Sequence, residues 1–414
     1  MKKALIVSYN IVRNGEGTIP LSIASIMAYV KSDPEYGFKF EVDHLPFNLL
    51  EEKENLSEFE NCFKNVSLND YQFIAISSFV WNEYLINPLM NHLRSVGYKN
   101  KIILGGSQIT YANKDQLQTE YPGCDIFISS YAEKSFLEIL KNEREKESYY
   151  NTSLDFNHLP SPYITGAMPL EYGHKMLRWE TKRGCPFKCS FCAHRNLENG
   201  RVHYMQLEKA FSELALFKQK EVKRINVLDP IFNMGSQYIE IMKEIDRLQF
   251  TNTNFTYQSK IELLTKKDGS DFLDLIQKTN AHLELGLQTI IPEEYEVIER
   301  KNNIKIIGEQ LEVLNKRNIS YEVSLIYGLP NQTIDSFKRS IEFVQGKGCK
   351  KITAWPLMLL KGTPLFFERD RWNLKEEVIG NFDIPVVTSS TTFNKDEWFE
   401  MEEVAKGLTN NMRL

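Results

Sequence analysis

The sequence predicts an α/β protein. A doubly wound, Rossmann-like N-terminal domain comes first, then a partial (β/α) barrel of the TIM type and a short C-terminal cap. Short apolar runs alternate with helix-spaced segments in two separate series, and strands separated by helices imply right-handed crossovers into parallel sheets. A Pro- and Ser-containing break divides the two series, and 414 residues suit two domains of ordinary size.

The first series reads as strands at residues 4–8, 40–43, 73–77, 101–105 and 125–129, with helical spacing at 21–30 and 84–96. It defines a domain over 1–145, and ligands of such sheets sit at the carboxyl ends of the strands. Residues 146–175 lose the pattern and read as a linker, stiffened by Leu159-Pro-Ser-Pro162. The second series has strands at 177–181, 224–228, 254–258, 282–286, 320–326 and 351–355. Helical segments at 207–218, 236–248, 292–301 and 304–316 separate them. These strand-helix units, over 176–365, fit an incomplete barrel whose chemistry belongs at the carboxyl ends of its strands. The remainder, 366–414, has little strand character; residues 396–408 read as an amphipathic helix with Trp398, Met401 and Val404 to one side.

Composition narrows the function. With 42% hydrophobic and 25% charged residues the chain has a soluble globular make-up, and no apolar run approaches membrane-spanning length. Met1-Lys-Lys-Ala-Leu runs directly into a strand, so a cytoplasmic protein without a membrane partner is expected. A net charge of -5 gives no basic field for nucleic acid. The charge runs at 51–54 and 143–147 read as solvated helix faces. Of six cysteines, Cys62, Cys124 and Cys349 are scattered without a pairing pattern, which suits a reducing compartment.

The other three carry the chemistry. In Arg183-Gly-Cys-Pro-Phe-Lys-Cys-Ser-Phe-Cys-Ala-His194, Cys185, Cys189 and Cys192 have the spacing CxxxCxxC. Three thiolates on one loop can hold three irons of a 4Fe-4S cluster and leave the fourth open. Zinc with a remote fourth ligand is the alternative; no second CxxC or HxxxH pair follows, and His194 is the adjacent candidate. With Phe191 before the third cysteine, the run resembles the motif of the radical S-adenosylmethionine (SAM) superfamily. That resemblance implies that SAM chelates the open iron and is cleaved to a 5′-deoxyadenosyl radical.

Further motifs extend the likeness. Leu228-Asp-Pro-Ile-Phe232 lies where the superfamily contacts the SAM amino group, so Asp229 could serve there or cap the next helix. Gly286-Leu-Gln-Thr289, Arg300 and Leu325-Ile-Tyr-Gly-Leu-Pro-Asn-Gln-Thr333 are similar to the oxygen-independent coproporphyrinogen dehydrogenases. By that resemblance Gln288 would touch the ribose, Arg300 the SAM carboxylate and Gln258 the amino-acid end. Ser324 stands where those enzymes carry an aspartate toward the ribose. Arg300 could instead pair with Glu296 on an exposed helix. Gly328 and Pro330 would bring backbone to the adenine or form a plain turn, and 361–365 resembles the closing strand of the superfamily.

A doubly wound domain ahead of such a barrel resembles the cobalamin-binding class of the superfamily. Trp81, Asn82, Gly105, Gly106, Ser107, Ser130 and Glu133 occupy the loops that face the corrin in those proteins, and glycine at a strand end admits a large flat ring. Trp81 and Asn82 could equally be core and turn residues. The DxHxxG motif that supplies a cobalt-ligating histidine elsewhere is missing, as is usual in this class.

The resemblance implies 4Fe-4S, SAM and cobalamin as cofactors, with an electron donor such as flavodoxin or ferredoxin. The reaction it implies is methylation of an unactivated carbon of a small metabolite or peptide, through the adenosyl radical and methylcobalamin. Radical rearrangement, cyclisation or oxidation without methyl transfer is the alternative. Methylthiolation would need three N-terminal cysteines, and only Cys62 and Cys124 are present; a scaffold with a degenerate barrel would have no use for three kept thiols.

Overall fold

The structure is a computed structural model that describes every residue except 53–62, 64–65, 143–146, 195–199, 380–383 and 409–414. Cys62 and most of the two charge runs therefore lie outside the described residues. The chain divides into two compact units, one of Met1–Glu171 and one of Tyr172–Ile379 continuing from Pro385.

The first unit is a parallel sheet of β1 (Lys2–Asn10), β2 (Phe40–Asn48), β3 (Phe73–Ser77), β4 (Lys101–Gly105), β5 (Ile126–Ile128) and β6 (Tyr149–Tyr150), in the order β2-β1-β3-β4-β5-β6. Ile23, Met27 and Val30 of α1 (Leu21–Lys31) pack on one face, with Phe136 and Ile139 of α3 (Ala132–Lys141). Leu85, Leu89 and Leu93 of α2 (Glu83–Ser95) cover the other. Helices on both faces bury both sides of every central strand, which is why the strands read as continuous apolar runs. The chain reverses direction between β1 and β3, the switch point at which doubly wound sheets place ligands.

The segment read as a linker is folded. Tyr149 and Tyr150 pair with Phe127 and Ile128, and Tyr150 and Ala167 join the core. Single apolar residues scattered among polar ones give no period to read, yet each can fill a gap in a packed core.

In the second unit, β7 (Leu177–Trp179) leads into β8 (Lys182–Arg183), which pairs antiparallel with β9 (His203–Tyr204) around the cysteine loop. A parallel sheet then runs through β10 (Arg224–Val227), β11 (Asn254–Ser259), β12 (His282–Gln288), β13 (Ser320–Tyr327) and β14 (Ile352–Pro356). Its order, β14-β13-β12-β11-β10-β7, is the consecutive order of a partial barrel. Leu283, Leu285 and Leu287 are buried on one face of β12, whereas Glu284, Gly286 and Gln288 alternate onto the other.

The C-terminal part departs from expectation. Residues 361–365 form a turn and enter the short helix Pro364–Phe367, capped by the Thr363 side chain, rather than a strand. An antiparallel pair follows, β15 (Lys375–Val378) and β16 (Pro385–Ser389), where little strand character was expected. The last helix, Lys395–Leu408, buries Trp398, Met401 and Ala405; Val404 is only half-buried.

Candidate active site

Geometry dictates the cysteine loop at its entry. Gly184 has φ +90°, and a Cβ there would sit 2.0 Å from the Arg201 carbonyl oxygen, so only glycine fits between β8 and the returning strand. The loop is then tied down from two sides. Ser190 donates its backbone N–H to Ile298 O at 2.9 Å and its hydroxyl to Val297 O at 2.9 Å, and accepts from Leu365 N–H at 3.2 Å.

Cys185 and Cys189 are buried and Cys192 half-buried, and none is in a disulfide. Burial pushes the Cys192 thiol up to about 11 and raises that of Cys185, with each sulfur within electrostatic reach of the others. Such thiols stay protonated until a metal displaces the proton. Among the described residues, no three His, Cys, Asp or Glu side chains converge as a single-ion site. His194 is exposed.

Arg300 comes to this loop rather than to Glu296. Its Nη1 lies 3.8 Å from Cys189 Sγ, its Nη2 donates to the Gly286 carbonyl, and its buried Nε has no partner. Gly286 and Gln288 sit at an irregularity in the β12–β13 pairing, with Gln288 at φ +73°. The Gln288 amide folds back beside Gly286 and Arg300, where a Cβ on Gly286 would meet Gln288 Nε2 at 2.8 Å. Asn302, missed in the sequence, secures this kink by donating to Leu287 O at 2.9 Å and Thr289 O at 2.8 Å. Phe191 is half-buried within the loop itself. Thiol loop, guanidinium and Gln288 are thus brought together from segments a hundred residues apart.

Ser324 is level with Gly286 on the neighbouring strand and hydrogen-bonds Thr353 Oγ1 at 3.0 Å. Gln258 is exposed at the end of β11, level with Glu284, to which its side chain hydrogen-bonds.

Asp229 does different work from either reading of it. Its carboxylate, fully buried, accepts from the Thr181 N–H at 2.7 Å, the Thr181 hydroxyl and the Lys182 N–H at 3.1 Å, with Lys182 Nζ at 3.9 Å. Lys182 Nζ also donates to Phe232 O and Met234 O, both at 2.7 Å, and burial lowers its ammonium to about 8. The next helix begins at Tyr238 with Gln237 in the N-cap position, so Asp229 is no N-cap; it clamps the strand that delivers the cysteines. Gly328 likewise packs near Val387 O and the Trp398 indole.

In the first unit, the named residues lie at the carboxyl ends of β3, β4 and β5. Trp81 donates to Tyr9 O at 3.1 Å and stacks on Phe79 with ring centroids 4.6 Å apart. Asn82 is fully enclosed: its oxygen accepts from Phe79 N–H at 2.7 Å, and its nitrogen donates to Ser77 O at 2.9 Å and Tyr9 O at 3.3 Å. It fastens β1 to β3 at the switch point. Gly106, at φ +101°, lies against the Ser78 carbonyl oxygen, 2.4 Å from where a Cβ would stand. Gly105, Ser107 and Ser130 are half-buried, and Ser130 N–H donates to Thr110 Oγ1 at 3.0 Å. Glu133 is buried and accepts from Ser25 Oγ at 2.8 Å, joining α3 to α1.

Residues 179–344 match the model of the radical SAM superfamily. The chain carries a radical SAM domain. That family uses a 4Fe-4S cluster and SAM, and the chain's own groups fit them: three unpaired thiols on one pinned loop and a guanidinium beside them with an orphaned buried N–H. The domain and the unit before it are together similar to the cobalamin-dependent radical SAM methyltransferase TokK of Streptomyces tokunonensis, 23% identical over 70% of this chain and 47% of that one. They are also similar to the 2-(S-pantetheinyl)-carbapenam-3-carboxylate methyltransferase of Streptantibioticus cattleyicolor, 22% identical over 86% of this chain and 56% of that one. The chain thus spans about half the length of these curated relatives. In fold, it resembles the radical SAM methyltransferase TsrM of Kitasatospora setae, solved with cobalamin and a 4Fe-4S cluster, at TM-score 0.66 and 14% identity over 96% of this chain and 81% of that one.

Proposed function

We propose that this chain is a cobalamin-dependent radical SAM methyltransferase acting on a carbon of a small metabolite or peptide. The observation that carries the reading is the convergence of Cys189, Arg300, Gly286 and Gln288 at the ends of the barrel strands. When bound, the cluster and SAM supply an adenosyl radical and the corrin supplies a methyl group. The chain's part is to hold and orient them. Cys185, Cys189 and Cys192 would hold the iron, and Arg300 would take the SAM carboxylate through paired charge-assisted hydrogen bonds. Gln288 and Ser324 would face the ribose, with Gln258 toward the amino-acid end.

Trp81, Gly105, Ser107 and Ser130 are half-buried at the carboxyl edge of the first sheet and suit a corrin; Asn82 and Glu133 are committed within the unit and do not. That commitment favours, as a second reading, a radical reaction without methyl transfer. Anaerobic reconstitution with reductant, SAM and cobalamin separates the two. Formation of both 5′-deoxyadenosine and S-adenosylhomocysteine is expected; 5′-deoxyadenosine alone would turn the assignment to the second reading, and neither product would end both.

A further inference from the structure

We propose that Lys260 and Glu262 set the electron affinity of the cysteine loop: the Lys260 ammonium stabilises an electron added to a cluster there, and the Glu262 carboxylate opposes it. The proposal rests on the reading that the three thiols hold such a cluster.

Lys260 follows β11 directly and is only 8% exposed. Its backbone is fixed on both sides by Asn233: the Lys260 N–H donates to Oδ1 at 2.9 Å, and the Lys260 carbonyl accepts from Nδ2 at 3.0 Å. The ammonium is therefore not a free surface charge. It stands 5.1 Å over the ring of Phe187, the residue midway between Cys185 and Cys189. Its field reaches Cys185 together with that of Arg300, and Cys189 acts on it in return.

Two cations, Lys260 just past β11 and Arg300 just past the helix Pro292–Val297, thus close on one loop, one over Phe187 and the other 3.8 Å from Cys189 Sγ, and they repel each other: after burial, Arg300 is the strongest influence pulling the Lys260 ammonium down. Two like charges turned onto one loop are costly unless an anion there offsets them. Glu262 Oε1, 3.1 Å from Lys260 Nζ, offsets part of this charge. A cluster held by three thiolates is the anion that fits the remainder, and it becomes more negative on reduction.

The test is a paramagnetic-resonance redox titration of the anaerobically reconstituted full chain and three variants. A unit charge roughly 10 Å away at an effective dielectric of about 20 changes an equilibrium by on the order of tenfold. Lys260→Met should therefore make the cluster harder to reduce by on the order of tenfold, about 59 mV for one electron. Glu262→Gln should shift the potential the opposite way, and Lys260→Arg should stay near the parent. A packing defect gives no reason for opposite signs, so shifts of the same sign, or none, overturn the proposal. Should Lys260→Met take up no iron, the upward shift of Glu262→Gln decides. A parent chain without iron and sulfide would overturn the underlying cluster reading and the proposal with it. A normal cluster whose potential ignores both charges overturns the proposal alone.

Discussion

Asp229 shows how a residue's type can be read from sequence while its task cannot. An aspartate after a barrel strand offers charge to a ligand or a cap to a helix, and both are local roles. Here the partners are Thr181 and Lys182, nearly fifty residues earlier, and they saturate the carboxylate. Asp229→Ala would leave the Lys182 ammonium buried without its counter-charge, a loss of about 3–5 kcal/mol for a buried pair broken on one side. Urea unfolding should show that loss in the midpoint, and the iron content after reconstitution should fall because the strand feeding the cysteines is released. His44 offers a second test. Burial lowers its imidazole to about 4, while its neutral ring hydrogen-bonds Ser8 Oγ at 2.8 Å. The unfolded chain takes up this proton as pH falls through about 6.5, and the folded chain resists until about 4. Stability is therefore full above about 6.5 and is lost as pH drops toward 4, by on the order of 2 kcal/mol after allowing for partial exposure. His44→Gln should flatten the slope of urea midpoint against pH in that window; an unchanged slope would remove His44 from the account.

Elements with a strong period were the legible ones. Residues 21–30, 207–218 and 304–316 read as helices and are helices at Leu21–Lys31, Leu207–Gln219 and Ile304–Lys316. Elements that owe their form to a distant partner were not legible. Tyr149–Tyr150 is too short to show a period and exists because β5 offers an open edge; β8 and β9, two residues each, exist only by pairing with each other. The loop itself depends on Gly184. Gly184→Ala would force a left-handed backbone on alanine and drive its Cβ into the Arg201 carbonyl, so the loop must open. The expected result is a chain that folds, by far-ultraviolet circular dichroism, yet takes up less than half the iron and sulfide of the parent.

At the scale of the whole molecule, a metal held by the cysteine loop would be coupled to the fold through the second unit. A group that binds the folded loop and not the unfolded one stabilises whatever the loop is fastened to. Ser190 ties the loop to Val297 and Ile298, and Arg300 ties it to Gly286. Removing iron by chelation should accelerate hydrogen exchange at 184–192 and at 286–300 by tenfold or more, measured by mass spectrometry on the full chain. Protection unchanged in both segments would mean that the thiols carry no structural metal.

The sequence by itself determined the order of the periodic strands and helices, the two-part architecture and the three thiols, because periodicity and cysteine spacing are properties of neighbours along the chain. Only the tertiary structure decided which polar groups reach the loop and which are consumed in holding the fold. Arg300 and Lys260 converge on the cysteines, whereas Asp229, Asn82 and Glu133 are spent on internal hydrogen bonds. The reason is that a buried polar group must find a partner, and the partner nearest in space is set by how strands pair and helices pack, not by distance along the chain.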